Sequence, residues 1–363
     1  MELDLKAIWQ LKDDKLITVR KHPRFDLFIA NYTPQVQFDK LWDKHPLLPS
    51  CRGLIFDGTG HVVARPFDKF FNYGEYTGPL PDSTYAVTEK MDGSLGILYF
   101  YDGLGYIATR GSFESEQALR GTEILWRTYG AYNGYDPLMF LSFNPDYTYL
   151  FEIIYPENRI VVDYGVREEL VLLSVIDTET GATVPLEEQH GHTVHDYFKS
   201  PEIFTGTLDA LKATVRDNFE GFVVHWPETG LRLKVKLEEY LRLHKVLTGV
   251  SARTIWQALK NGDNISLWIE NVPDEFAEFI KKTVQDLQSE FDRKSAAATR
   301  VYDSIMARFE GFAYPDRAQF AREATKYECR DILFLMFDER PWADRIWNRM
   351  YPAADSPSFK VEM

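Results

Sequence analysis

Up to about residue 240 the chain is built of short stretches in which apolar and polar residues alternate with a period of two. RGLIFDGTGHVVARPF, TYAVTEKMDGSLGILYFYDGLGYIATRGS, YTYLFEIIY, ELVLLSVIDTETG and EGFVVHWPETGLRLKVKL all read this way. Such alternation places neighbouring side chains on opposite faces of an extended strand. Between the runs, FDGTGH, YDGLGY, DTETGA and PETGLR carry hairpin-turn signals. The helical stretch ESEQALRGTEILWRTYG lies among them. After Tyr240 the apolar positions recur at i, i+3 and i+4, as in SARTIWQALKNG, PDEFAEFIKKTVQDLQSEFDRKSAAATRVYDSIMARF, RAQFAREATKY and CRDILFLMF. The pattern predicts an α+β domain with antiparallel sheets and flanking helices over residues 1–245, and an all-helical domain over residues 246–363, with the change falling within residues 243–250.

A length of 363 residues agrees with two domains, and a hydrophobic content of 45% is enough for two cores. The N-terminal MELDLKAIWQLKDDK lacks the apolar centre of a signal peptide, and nowhere does an apolar run reach the roughly 18 residues of a membrane span. A cytoplasmic chain with no membrane partner is expected, working as a monomer. Cys51 and Cys329 stand far apart and have no metal-ligand or disulfide-framework spacing.

The net charge of −14 argues against a generally basic nucleic-acid-binding surface. The acid is uneven, however. Residues 246–363 hold 16 Lys and Arg against 19 Asp and Glu, which leaves 25 against 36 for residues 1–245. Any polyanion must therefore be met by a local cluster of cations.

Candidates for such a cluster lie in the β-rich part. In TEKMDGSLGILYF, Lys90 stands between an apolar run and Asp92-Gly93, a turn signal that puts it at the end of a strand. By itself K-x-D-G is equally a solvated lysine beside a hairpin turn. In LRLKVKL, alternation sets Leu231, Leu233, Val235 and Leu237 on one face and Arg232, Lys234 and Lys236 on the other, with the cations about 7 Å apart. An anion lying across that face would relieve their repulsion, although an exposed amphipathic strand has the same pattern. Glu152 in YTYLFEIIYPE and Glu220 in NFEGFVVHW interrupt apolar runs, where a carboxylate is costly unless it is paired, hydrogen-bonded or metal-bound. CRGLIFDG and RPFDKFFNYGE add Arg52 and Lys69 at strand margins, with Phe70 and Phe71 beside the latter.

In this order, the residues resemble the covalent nucleotidyltransferase superfamily of polynucleotide ligases and mRNA capping enzymes, whose first motif is K-x-D-G. CRGLIFD, DKFFNYGE, KMDGSLG, TRGS, FEIIYPENRIVV, EGFVV and KVKLEEY are similar to the RNA ligase 1 group of phage-type, ATP-dependent RNA ligases, over about residues 50–245. The resemblance implies an ATP-dependent nucleotidyltransferase domain in which Lys90 attacks the α-phosphate of ATP. AMP then passes to an RNA 5′-phosphate, and a 3′-hydroxyl displaces it, in the repair or sealing of RNA such as tRNA. It further implies that Lys234 and Lys236 hold the triphosphate and assist the chemistry, that Arg52 and Lys69 contact phosphate or sugar, and that Phe70 stacks on adenine or packs in the core. Glu152 and Glu220 would place Mg²⁺, for which Mn²⁺ can substitute, with Glu152 also near the ribose. Glu89, next to Lys90, is placed among the nucleotide-binding residues. Tyr240 falls where the group carries a tyrosine important for ligation, and the segment Thr109-Arg110-Gly111-Ser112 falls near the sugar or RNA end. Asp92 is expected to secure the turn that carries Lys90, and Ser94 to cap it or touch phosphate. Met91 departs from the polar residue often found between the lysine and the aspartate.

The rival readings are a DNA ligase or capping guanylyltransferase, which usually continue into a β-rich OB-type domain, and a catalytically silent RNA-binding module. The helical continuation disfavours the first, and retention of Lys90, Glu152, Glu220, Lys234 and Lys236 disfavours the second. His190, His192 and His195 are spaced as a solvated loop rather than as ligands of one ion. The helices of residues 274–310 show an apolar stripe for a bundle core, with a charged face open to solvent or RNA. The helical domain is expected to influence the choice of RNA.

Overall fold

Asp102 and Gly103 both adopt positive φ, at 51° and 75°, the requirement of the two-residue turn that best matches strand twist. In the computed structural model, which describes residues 2–133, 143–185, 194–266, 268, 274–309 and 315–352, this turn joins two paired strands. FDGTGH and PETGLR also close hairpins, and DTETGA leads back to an isolated bridge between Ile176 and Thr183. Asp92-Gly93 does not close a hairpin. The strands on either side of it belong to different sheets, and neither residue takes the positive φ that such a turn needs.

The chain divides into two compact units, Met1–Leu247 and Thr248–Met363. The first runs through α1 (Leu5–Asp13), β1 (Ile17–Lys21), β2 (Leu27–Tyr32), α2 (Pro34–Phe38), β3 (Arg52–Asp57), β4 (Val62–Ala64), β5 (Phe71–Asn72), β6 (Ala86–Glu89), β7 (Ser94–Tyr101) and β8 (Leu104–Ala108). It continues with α3 (Glu116–Asn133), β9 (Tyr147–Ile154), β10 (Glu169–Asp177), β11 (Ile203–Phe204), α4 (Leu208–Lys212), β12 (Gly221–His225), β13 (Arg232–Lys236) and α5 (Glu238–Thr248).

The strands form three sheets, ordered β1-β2-β3-β4, β10-β9-β7-β8 and β11-β6-β12-β13-β5. Their pairings are antiparallel, as the α+β reading expects, except that β5 lies parallel to β13, with Phe71 opposite Leu233. Alternation explains the layering. Leu98 on β7 faces a core with Ile107, Ile124, Leu125 and Phe151, where α3 covers the second sheet. Its neighbours Ile97 and Tyr99 face the other way, onto Ile29, Ile55 and Ala64 of the first sheet. In the third sheet Val87, Phe222, Val224, Leu233 and Val235 are buried in register on one face, which leaves the opposite face to the polar positions of β12 and β13.

The second unit consists of helices among its described residues: α6 (Ala252–Asn261), α7 (Asp274–Met306), α8 (Arg317–Ala324), α9 (Arg330–Phe337) and α10 (Ala343–Arg349). Ser251 caps α6 by accepting from the Thr254 amide, and Gly262 ends it in the left-handed region. Trp256, Ile332, Ile346 and Trp347 form part of the core, where the Trp256 indole donates to the Trp347 carbonyl at 2.9 Å. No described helix is long and apolar enough to cross a membrane.

Gly221 opens β12 at φ +148°, and a Cβ there would stand 2.1 Å from the Val235 carbonyl oxygen. Backbone on both sides fixes that distance, so Gly221→Ala is expected to cost at least about 2 kcal/mol and to lower the melting temperature by roughly 5 °C or more. An unchanged thermal unfolding curve would contradict this packing.

Candidate active site

Lys90 extends the pairing of β6 by one residue, its amide donating to the Gly221 carbonyl at 2.8 Å. Gly221 in turn lies opposite Lys236 on β13. Three adjacent backbones thus bring Lys90, the Glu220-Gly221 step and Lys236 to one level of the sheet. The Lys90 ammonium is 2.7 Å from Glu220 Oε2, and the Lys236 ammonium is 3.4 Å from Glu220 Oε1. Glu220 and Lys236 are buried, with side chains 3% and 7% exposed, while Lys90 keeps 22%. Of this trio, Lys90, just before the sheet crossing, is the one open to a ligand.

Glu152, on β9 of the second sheet, reaches the same place. Its Oε1 accepts the Gly93 amide at 2.9 Å. Withdrawal from water pushes its carboxyl up to about 7; Lys90 opposes the shift, and the Glu220 charge adds to it.

The segment between Lys90 and Ser94 is held on every side. Asp92 is 3% exposed, and its Oδ2 accepts the amides of Val161 and Val162, both at 2.8 Å. Its Oδ1 accepts the Tyr240 hydroxyl at 2.8 Å, and its own amide donates to the Tyr164 hydroxyl oxygen at 2.9 Å. Met91 is buried with Ile154 and Val171, which accounts for an apolar residue at that position. Ser94 donates to Asn158 Oδ1 at 3.1 Å, and Asn158 is tied to the Ile153 carbonyl. Asp92 therefore secures the segment, as a crossing between sheets instead of a hairpin. Tyr240 is buried beneath it and does more than pack.

The other sequence candidates have contacts of their own. Lys234, two residues before Lys236 on the same face, has its ammonium 5.1 Å from the centre of the Phe70 ring, and Phe70 meets Phe67 edge to face. The parallel β5 pairing brings Phe70 to this side of β13. Lys69 stands over the rings of Trp42 and Phe71 at 5.7 and 5.5 Å. Arg52 opens β3, and its guanidinium makes no ion pair among the described residues. Arg110 lies over Tyr32 at 5.5 Å, in a turn closed by the Thr109–Ser112 bridge.

Glu89 is different. It pairs with Phe222 on the core-facing side of the third sheet, and its charged neighbours are Arg216, Glu202 and Arg167, with burial raising its carboxyl. Successive strand residues point to opposite faces, so the Glu89 side chain lies on the face opposite that of Lys90.

His190 and His192 lie outside the described residues, and so does the side chain of His195. Among the described residues no group of three or more His, Cys, Asp or Glu is arranged to hold a metal ion, so Glu152 and Glu220 are the carboxylates the cluster offers. Sequence reasoning missed Tyr164. Its bond to Asp92 spans 72 residues of chain, and a lone tyrosine in a loop carries no periodic signal that would reveal it.

A partly exposed lysine beside further cations is a setting in which lysine nucleophiles occur. Residues 50–241, more than half of the chain, match the RNA ligase family. The chain belongs to that family. It is 29% identical over 326 residues to a putative RNA ligase of Thermovibrio ammonificans, which covers 85% of this chain and 80% of that one. With the RNA ligase of Rhodothermus phage RM378 it shares 24% over 393 residues, 87% and 86% of the two chains. A putative bifunctional polynucleotide kinase/RNA ligase of Autographa californica nuclear polyhedrosis virus is 29% identical over 277 residues, 66% of this chain and 36% of that one. Among solved structures, the Naegleria gruberi RNA ligase with PPi aligns at a TM-score of 0.35 and 20% identity, over 45% of this chain and 52% of that one.

The Glu152 carboxyl has a signature in stability. Its value of about 7 in the fold lies above the ordinary 4.5, so the folded chain holds this proton more tightly than the unfolded one. Stability from this group is therefore greatest below about 4.5, declines as pH rises, and is fully lost above about 7. In metal-free buffer, the urea midpoint of Glu152→Gln is expected to gain on that of the wild type between pH 5 and pH 8. A gap that stays constant with pH would refute the shift.

Proposed function

We propose that the chain is an ATP-dependent RNA ligase that joins a 3′-hydroxyl to a 5′-phosphate through a lysyl-AMP and an RNA-adenylate. The observation that carries this reading is the accessible Lys90 amine held 2.7 Å from buried Glu220, with Lys236 on the far side of the same carboxylate.

In the first step the Lys90 nitrogen, once deprotonated, attacks the α-phosphorus. A nitrogen–phosphorus bond forms, the α–β anhydride bond breaks, and pyrophosphate leaves. The RNA 5′-phosphate oxygen then takes AMP from Lys90, and the RNA 3′-hydroxyl oxygen attacks that 5′-phosphorus and releases AMP. An ordinary lysine is protonated at neutral pH, and freeing its lone pair costs about 4–5 kcal/mol.

The carboxylates fit a divalent cation by their chemistry. Burial raises the Glu152 carboxyl and the Glu220 charge adds to it, and carboxylate with water suits Mg²⁺, or Mn²⁺ in its place. Glu152 and Glu220 would hold it, and when bound it supplies charge neutralisation for the phosphates. Lys236 and Lys234 hold the triphosphate along β13, Phe70 offers a ring beside Lys234 for the base, and Arg52 and Lys69 contact phosphate or sugar. Residues 1–245 would form the adenylating domain, and residues 246–363 the one that bears on the choice of RNA, tRNA among the candidates.

Incubation with α-³²P-labelled ATP, GTP or NAD⁺ and Mg²⁺, followed by a denaturing gel, tests the reading. Wild type is expected to retain label from ATP and Lys90→Ala to retain none, a loss of at least about 1,000-fold given that the nucleophile itself is gone. Label from GTP alone would point to a capping activity instead, and absence of label would leave a binding module.

A further inference from the structure

The Met91–Asp92 peptide is bonded on both sides. Its N–H donates to the Tyr164 hydroxyl oxygen at 2.9 Å, and its C=O lies 3.5 Å from the Lys90 ammonium. A peptide unit is planar, so its N–H and C=O turn together. Whatever fixes the first fixes the direction of the second. Tyr164 is itself fixed: its ring packs with Met91, Ile154 and Val171, and the Arg167 guanidinium lies 5.3 Å over its face. Together with Asp92, Asn158 and Arg159, it borders a cavity of about 150 Å³, so space exists on that side into which the peptide could turn. Burial, with the charges of Asp92, Glu152 and Glu89, keeps the phenol neutral.

We infer that Tyr164 is a positioning residue for the nucleophile: by holding the Met91–Asp92 peptide plane it aims the Met91 carbonyl at the Lys90 amine and so sets the line along which the amine meets phosphorus. This rests on the reading of Lys90 as the adenylated lysine. The bonds to the Asp92 carboxylate from Val161, Val162 and Tyr240 do not involve Tyr164. Loss of its hydroxyl therefore frees the peptide plane while leaving the segment anchored. Misplacement of a reacting group by about 1 Å costs on the order of 100-fold in rate.

The test is single-turnover formation of the labelled adduct over a range of ATP concentrations, for wild type, Tyr164→Phe and Val171→Ala, with melting temperatures measured alongside. Val171 packs in the same apolar cluster as Met91, and its truncation disturbs packing without removing a hydrogen bond to the peptide. Tyr164→Phe is expected to lower the limiting rate by about 10- to 100-fold with the half-saturating ATP concentration within about twofold of wild type. Val171→Ala should lose stability and keep its rate. The inference is overturned if Tyr164→Phe reacts as fast as wild type, if its loss appears in half-saturation alone, or if both variants lose rate in proportion to stability. A wild type that takes no label overturns the ligase reading and this one together, whereas a labelled wild type beside an equally fast Tyr164→Phe overturns only this one.

Discussion

A single buried carboxylate, that of Asp92, joins the parts on which the site depends. Three donors converge on it, two main-chain amides from the loop after β9 and a hydroxyl from α5. Left without them, an ionised carboxylate that is 3% exposed would be intolerable in the interior. With them, bonds to a charged acceptor are individually stronger than neutral ones. Their effect is to fasten the crossing between the second and third sheets. Lys90 stands on one side of that crossing, and the Gly93 amide that holds Glu152 on the other. The relative position of the lysine and the two glutamates is therefore a consequence of where Asp92 is tied.

The charge cluster has the opposite character. Lys90, Lys236 and Glu220 form a compact group, and desolvating such groups offsets much of their mutual attraction. Glu152 beside them is kept from easy ionisation by burial. Such a cluster adds little to stability for the charge it withdraws from water, and the shielded surroundings make each of its charges more effective on a charged ligand.

Much of this was legible in the sequence, for identifiable reasons. The LRLKVKL run declared its two faces because alternation is a local property of any strand, and β13 buries Leu233 and Val235 as the pattern requires. Lys90 at a strand end followed from Asp92-Gly93. The partner of that strand did not follow, because a turn dipeptide does not say whether the next strand returns to the same sheet. The parallel β5 pairing is equally non-local, with residue 71 beside residue 233. The opposed side chains of Glu89 and Lys90 were legible too, since adjacent strand residues face opposite ways. Tyr164 was not, because its importance lies in a bond to a main-chain amide that any residue type supplies.

The third sheet draws its strands from widely separated stretches: 71–72, 86–89, 203–204, 221–225 and 232–236. During synthesis, Lys90 leaves the ribosome well before the segment carrying Glu220 and Lys236. At about 5–20 residues per second the interval is on the order of ten seconds. Throughout it, the central strand of the site lacks its neighbour, and the lysine is an ordinary amine in an incomplete sheet. On the proposed role of Lys90, reactivity toward nucleotide would be withheld until most of the first unit has been made, since a product ending before residue 220 lacks both Glu220 and Lys236.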